Sequence, residues 1–523
     1  VKFTPSGKLT EKQIQTGLNL IVKDGLMAEA MATLTGGAFL VAMALKLGAS
    51  NFQIGILAAL PSISPIFQLL GIFLVQKYHN RKIITVISSV FARGPLVLIC
   101  FLPFLFSPAV SLVFIIVFLF FHYLFGSVSG CGWNSWMKDL VPQEQLGRYF
   151  SNRSRLIQIL SVTLSFAIAF ILDYVKANHP ELEIKTYSLM FLIGGTAGLL
   201  GITLLVRTPE PRMVPIKSNI FRLLAKPFKN ENFRNTILFN GAWAFAVNLA
   251  TPFFSVFLLK MLHLPLSYVV SLNILSQVTN ILFIRVWGKY SDKYSNKSIL
   301  RICGPVYLLG ILALTFTTMP GPHFLSIPLL VVVYAMNGIS VSGINLAMSN
   351  IGIKLAPKQG DAIVFLTARS MFVAAVSGLA PAIGGLFADF FAARELSWNL
   401  EWKSPAGNLV LHTLELQQWD FFFVFAFLFG LFALYRLSYV KEEGEVHKSI
   451  VVNDMVAEFM RQPRIEAAVN GMRNVAYIPY SFFTLIRRKQ RIDRYRRRKR
   501  KGHYYTMNKN IGSEGRKVLR KAG

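Results

Sequence analysis

The sequence predicts an all-α integral membrane protein of about twelve transmembrane helices, arranged as two pseudo-symmetric six-helix bundles. Three observations predict it. Of 523 residues, 53% are hydrophobic and 15% charged, against about 25% charged in an ordinary soluble chain. The charges are bunched, leaving apolar runs of roughly 20 residues, the length that crosses a hydrocarbon core as a helix with every backbone group bonded internally. One shift of register also lays the first half of the chain over the second.

The apolar runs are 26–47, 52–75, 83–105, 109–133, 152–173, 188–206, 236–259, 266–288, 299–318, 325–348, 366–391 and 418–440. Pro61, Pro65, Pro95, Pro252 and Pro381 fall inside them, where neighbouring helices can satisfy the freed backbone groups, and are expected to mark kinks. The first run is long enough to span, so it reads as a span rather than a signal peptide. Cys100, Cys131 and Cys303 sit in apolar surroundings with no spacing for zinc or a disulfide framework.

Basic residues set the expected orientation. With both termini inside, the N-terminal arm and five inner loops carry 21 Lys and Arg, and the six outer loops carry five. The resulting organisation is an inner arm 1–25, a first bundle 26–206, an inner linker 207–235, a second bundle 236–440 and a basic inner tail 441–523. A valine first residue fits either a GTG start codon, and with it a bacterial cytoplasmic membrane, or simple processing.

The repeat has a period of 216 residues. Gln76-Lys77-Tyr78-His79-Asn80-Arg81 falls on Asp292-Lys293-Tyr294-Ser295-Asn296-Lys297. Asn134, Lys138 and Arg153-Ser154 fall on Asn350, Lys354 and Arg369-Ser370, and Asp24-Gly25 falls on Asn240-Gly241. The matches include Asn, Lys, Arg and Tyr, so apolar composition does not produce them. Two bundles related by an axis along the membrane normal would place a site between them.

With these features the chain resembles the major facilitator superfamily of transporters from about residue 20 to 440. The resemblance rests on the inner loop after the second span of each half, G-x-x-x-D-[RK]-x-G-[RK]-[RK]. The second half carries Gly288, Asp292, Lys293 and Lys297, with Ser295 and Asn296 departing from the pattern. The first half keeps Lys77 and Arg81, while Ile72, Gln76, His79 and Asn80 depart. The segment from Trp136 through Lys138, Asp139 and Pro142 to Gly147 and Arg148 resembles the loop after the fourth span. The resemblance implies that Asp292 latches an inner gate beside Arg153, and that Gln76 faces the start of the eleventh span near Arg369 without a charge.

Ionisable groups inside spans are costly and are functional candidates by default. Glu29 is the first: with Thr33 and Gly36 it shares one face of the first span. It can carry a coupling proton, or it can pair with Arg93 or Lys23 to fix packing. Arg93 can bind an anionic solute or partner Glu29. His122 shares a face of the fourth span with Gly126 and Ser129, either as a titrating group or as a hydrogen-bonded packing residue. Asn240, Asn248, Asn337 and Asn345 are amides in spans that the resemblance assigns to a central cavity; each alone can serve an interhelical hydrogen bond, and as a set they suggest a mildly polar cavity. Asp24, Arg285 and Asp389 fall near span ends. No nucleotide loop, metal cluster or nucleophile–base pair appears, so no enzyme and no cofactor is expected.

The tail holds 21 Lys and Arg against eight Asp and Glu, with eleven basic residues among the fifteen from Arg487 to Lys501. Such a cluster suits anionic lipid head groups or a protein partner, and nucleic acid is not expected. The functional expectation is a secondary transporter that moves a small solute by alternating access, with Glu29 as a candidate for proton coupling and the coupling ion left open. The alternatives are a non-transporting scaffold or assembly subunit of the same fold, and a lipid or amphiphile flippase.

Overall fold

The computed structural model describes residues 9–142, 145–212, 226–318, 324–357, 362–404, 407–442 and 450. The basic cluster expected to bind lipid or a partner lies outside them.

Twelve helical stretches among the described residues are long and apolar enough to cross a membrane. In the first half, spans 1 to 6 are Glu11–Lys46, Asn51–Tyr78, Arg81–Ile99, Pro108–Leu140, Arg148–Asn178 and Pro180–Arg207. In the second, spans 7 to 12 are Glu231–Lys260, Leu266–Lys293, Asn296–Thr317, Ser326–Leu355, Val364–Phe391 and Trp419–Leu437. Each predicted apolar run falls on one of these stretches. The protein is therefore a multi-pass integral membrane protein.

Residues 11–25 of the expected arm are helical and continuous with span 1, which starts at Glu11. Thr10 caps it, accepting from the Gln13 backbone while the Gln13 side chain returns to Thr10. Leu18 and Ile21 on this extension are buried with Trp136 and Met137 of span 4 and Leu205 of span 6. Their burial, rather than lipid, holds the helix beyond the apolar run.

Two spans are broken. Span 1 divides into Glu11–Thr35 and Gly37–Lys46. Gly37, at φ +57°, takes a left-handed conformation that a side chain would strain. Span 2 runs as Asn51–Ile63, a 3₁₀ turn Ser64–Phe67 carrying Pro65, and Gln68–Tyr78. Pro95, Pro252 and Pro381 sit inside continuous helices.

The stretch 392–417, expected only as a loop, contains a hairpin. Strands β1 (Glu395–Ser404) and β2 (Gly407–Gln417) pair antiparallel, with one irregularity between Trp398 and Asn399. The alternation Leu396, Trp398, Leu400, Trp402 carries the strand signal in the sequence.

Within the first half, span 1 packs on span 6, and span 3 on spans 4 and 6. Within the second, span 10 packs on spans 8 and 9, and span 7 on spans 11 and 12. The halves meet along two seams: the Asn51–Ile63 part of span 2 against span 11, and span 5 against span 8. The Gln68–Tyr78 part of span 2 packs on spans 3 and 4 of its own half. The face bearing the loops after the even-numbered spans 2 to 10 is the basic face, and the other is the opposite face.

Candidate functional site

At the opposite face each seam is closed by a carboxylate crossing from one half to the other. Asp173, near the end of span 5, accepts the backbone N–H groups of Leu266 (2.9 Å) and Ser267 (2.8 Å) at the start of span 8. Asp389, near the end of span 11, accepts those of Asn51 (3.1 Å) and Phe52 (2.9 Å) at the start of span 2. A helix start leaves its first N–H groups without intrahelical partners, and an acceptor there also meets the positive end of the helix dipole. Span 2 and span 11 approach closely because Gly55 and Gly385 carry no side chain. A Cβ on Gly55 would fall 2.2 Å from the Pro381 carbonyl oxygen, and one on Gly385 would fall 2.5 Å from that of Asn51. On the other seam, Gln158 Nε2 donates to Gln277 Oε1 at 2.6 Å.

The expected Asp292–Arg153 latch is not formed in this state. Asp292 is exposed and forms no ion pair among the described residues. The Arg153 guanidinium lies 5.1 Å from the centre of the Trp133 ring in its own half. Gly25 makes room for it, since a Cβ there would fall 2.6 Å from Arg153 Nη2. The halves are clamped at the opposite face, so the loops at the basic face are not drawn together.

The other loop residues anchor their own halves. Arg81 is wholly buried. Its guanidinium donates to Ser135 O at 2.9 Å and to Pro211 O at 2.7 Å, and pairs with Asp139 and Glu210. Glu210 also accepts the Arg81 backbone N–H at 2.8 Å. Lys297, its repeat partner, is buried and donates Nζ to Val440 O at 2.6 Å. Glu442 accepts the Lys297 backbone N–H at 2.8 Å and Asn296 Nδ2 at 2.7 Å. In both halves, then, the chain leaving the sixth helix supplies a glutamate that caps the third. Lys77 and Lys293 are exposed, with their ammonium groups 5.5 Å and 5.1 Å from the Tyr78 and Tyr294 ring centres. Gln76 is half-buried, and the Cβ position of Gly288 is open.

Where the span 2–span 11 seam ends, a cavity of about 440 Å³ opens between spans 2, 7, 10 and 11. Asn240 and Asn248 of span 7, Asn345 of span 10 and Arg369 of span 11 line it together. Ser62 and Pro65 close it from the first half, at the broken turn of span 2. Ser349, Ser370 and Ser377 add hydroxyls. Arg369 Nη1 donates to Met348 O at 2.8 Å. Gly352 allows that seat, since a side chain there would overlap the guanidinium. Asn248 Nδ2 bonds Ala244 O of its own helix at 2.8 Å. Asn240 is 2% exposed, and its Oδ1 has no donor among the described residues.

The remaining candidates lie elsewhere. Asn337 is corrected: it turns toward span 9, where a Cβ on Gly310 would fall 2.3 Å from its Oδ1, and it does not line the cavity. Arg93 pairs with Asp24 at 3.1 Å and donates to Gly198 O at 2.7 Å, so the expected Glu29–Arg93 pair does not form. Glu29 is half-buried in span 1 with no ion pair among the described residues, and it is not on the cavity wall. Its helix neighbour Thr33 faces Ser161 of span 5 at 3.4 Å. His122 shares a hydrogen bond of 2.7 Å with the Ala92 carbonyl, which ties span 4 to span 3.

Asp173 was missed, and Asp389 was named only as a group near a span end. Both stand at span ends, where a carboxylate reads as interfacial. The signal was their separation, the same 216 residues that relate the two halves.

Two repeated six-helix halves, joined at one face, with a cavity lined by amides, hydroxyls and a guanidinium, define the architecture of a membrane transporter. The chain belongs to the Major Facilitator Superfamily, whose family model matches residues 25–368. Comparison with curated protein sequences gives no match. Among solved structures, a D-xylose–proton symporter is similar with a TM-score of 0.59 at 14% identity, over 83% of this chain and 99% of the other. A point mutant of the nucleoside transporter NupG is similar at 0.58 and 13%, over 82% and 100%. A bacterial homologue of the iron transporter ferroportin in an inward-facing state is similar at 0.58 and 13%, over 83% and 100%. At these identities the likeness is one of fold.

Proposed function

We propose that the protein moves a small polar solute across its membrane by alternating access, and that the basic face is cytoplasmic. The observation that carries the reading is the pair of seam caps. Asp173 and Asp389 clamp the two halves at one face, while the loop carboxylate Asp292 at the other face is unengaged among the described residues. An asymmetric clamp between two repeated halves is what one end state of a rocking transporter requires. The amides of Asn240, Asn248 and Asn345 and the Arg369 guanidinium on the cavity wall favour a solute with polar groups over an acyl chain, and so favour solute transport over lipid flipping. Glu29 takes up and releases the coupling proton: it is a membrane carboxylate with no cation to hold it among the described residues, whereas Asp24 is engaged with Arg93.

The test is a distance measurement in proteoliposomes between spin labels at Lys77→Cys and Asp292→Cys, which lie on the basic face in opposite halves. Alternating access gives two distance populations whose ratio responds to pH, and Glu29→Gln removes the response. A single distance at every pH, with or without solute, would favour the scaffold alternative. Two populations whose pH response survives Glu29→Gln would keep transport and exclude Glu29 as the coupling group.

A further inference from the structure

We infer that the cavity takes a small organic anion that also carries a hydrogen-bond-donating hydroxyl. This rests on the transport reading and deepens it by naming the solute class. Among the described residues lining the cavity, Arg369 is the one with a charge, and none is a carboxylate. Its described hydrogen bond, to Met348 O, occupies one of five guanidinium donors. A guanidinium stays protonated in proteins, and a cation partly removed from water in a cleft is costly without a counter-charge. Arg81 and Arg93 each hold a carboxylate in this protein, and Arg153, the repeat counterpart of Arg369, is met by the Trp133 ring. Arg369 holds none among the described residues, so the negative charge comes with the solute.

The lining also holds acceptors without donors. The exposed Asn345 amide lines the cavity and has no hydrogen-bond partner among the described residues. Asn248 uses its Nδ2 on its own helix, which leaves its carbonyl oxygen for the cavity. Carbonyl oxygens free on the wall are best met by a solute that donates as well as accepts. A neutral sugar brings donors and no charge, and an inorganic anion such as sulfate brings charge and no donor. A hydroxylated carboxylate or phosphate ester of about six carbons or fewer brings both, and about 440 Å³ has room for it.

The test uses Ser349→Cys on the cavity wall, with Cys100, Cys131 and Cys303 replaced by alanine, in proteoliposomes. Labelling rates are compared for a sulfonate-bearing and a trimethylammonium-bearing methanethiosulfonate. Gluconate, 3-phosphoglycerate, glucose, glycerol and sulfate serve as protecting agents. The expected sulfonate-to-ammonium rate ratio falls about tenfold in Arg369→Gln, equivalent to about 1.4 kcal/mol, and is kept in Arg369→Lys. Gluconate or 3-phosphoglycerate protects, while glucose, glycerol and sulfate do not. A rate ratio unchanged by Arg369→Gln overturns the inference, as does protection by neither organic anion. Glucose protecting as well as gluconate also overturns it, and leaves solute transport standing. The spin-label distances are scored separately, so failure of the transport reading shows there.

Discussion

Asp24 and Arg93 are a buried pair whose cost is met by their neighbours. Arg93 reaches from span 3 to Asp24 on span 1, and its second bond goes to the Gly198 carbonyl on span 6. Gly201 leaves the space, since a Cβ there would fall 2.7 Å from Arg93 Nη1 and 2.8 Å from Asp24 Oδ1. Removing one partner strands a charge in a low-dielectric site, which costs about 3–5 kcal/mol, whereas replacing both by apolar groups is often close to neutral. Arg93→Leu should therefore strongly destabilise the protein in detergent, and Asp24→Leu/Arg93→Leu should recover most of the loss. Thermal unfolding of the three forms checks this. Equal loss in the single and double variants would mean that the pair does more than balance charge.

At the scale of elements, two helix starts are capped from across the molecule. A side-chain cap contributes about 1 kcal/mol, and these caps contribute it only while the opposite face is closed. Asp173→Ala with Asp389→Ala should shift the ratio of the two labelled populations by about thirtyfold toward opening of that face. Each single variant should give roughly the square root of that, because the sites lie on separate seams. Gly55→Val acts on the same equilibrium by a different route: its side chain cannot coexist with the Pro381 carbonyl at the present separation. It should also favour the state open at the opposite face, read by the same distances. If these variants leave the distances unchanged, the seams do not set the equilibrium.

At the scale of the molecule, Arg81 with Glu210 and Lys297 with Glu442 make each half a self-tied unit at the basic face. These ties run within halves, and the two caps run between them. A change of state should therefore alter distances between halves and leave distances within a half intact. Labels at Lys77→Cys and Lys138→Cys, both in the first half, should keep one distance under conditions that shift the Lys77–Asp292 distribution. An equal change in both would rule out rocking of rigid halves.

Much of this architecture is legible in the linear sequence because the bilayer imposes it. Twelve apolar runs, the bunched charges and the 216-residue repeat follow from the need to bury every span and satisfy its backbone. The amides Asn240, Asn248 and Asn345 were readable for the same reason: polar groups are rare enough in apolar spans to stand out. Tertiary structure decided which of the rare groups meet. Helix rotation turned Asn337 onto Gly310 and away from the cavity, and brought Asp24 rather than Glu29 to Arg93. It carried Arg369 from an expected gate position to the cavity wall. The seam caps were hidden because their acceptors are unremarkable aspartates and their donors are backbone N–H groups, which no residue type announces. Composition fixes which segments enter the membrane. Partner choice depends on the rotation and close approach of whole helices, set by small residues such as Gly55, Gly201 and Gly352 acting across the fold.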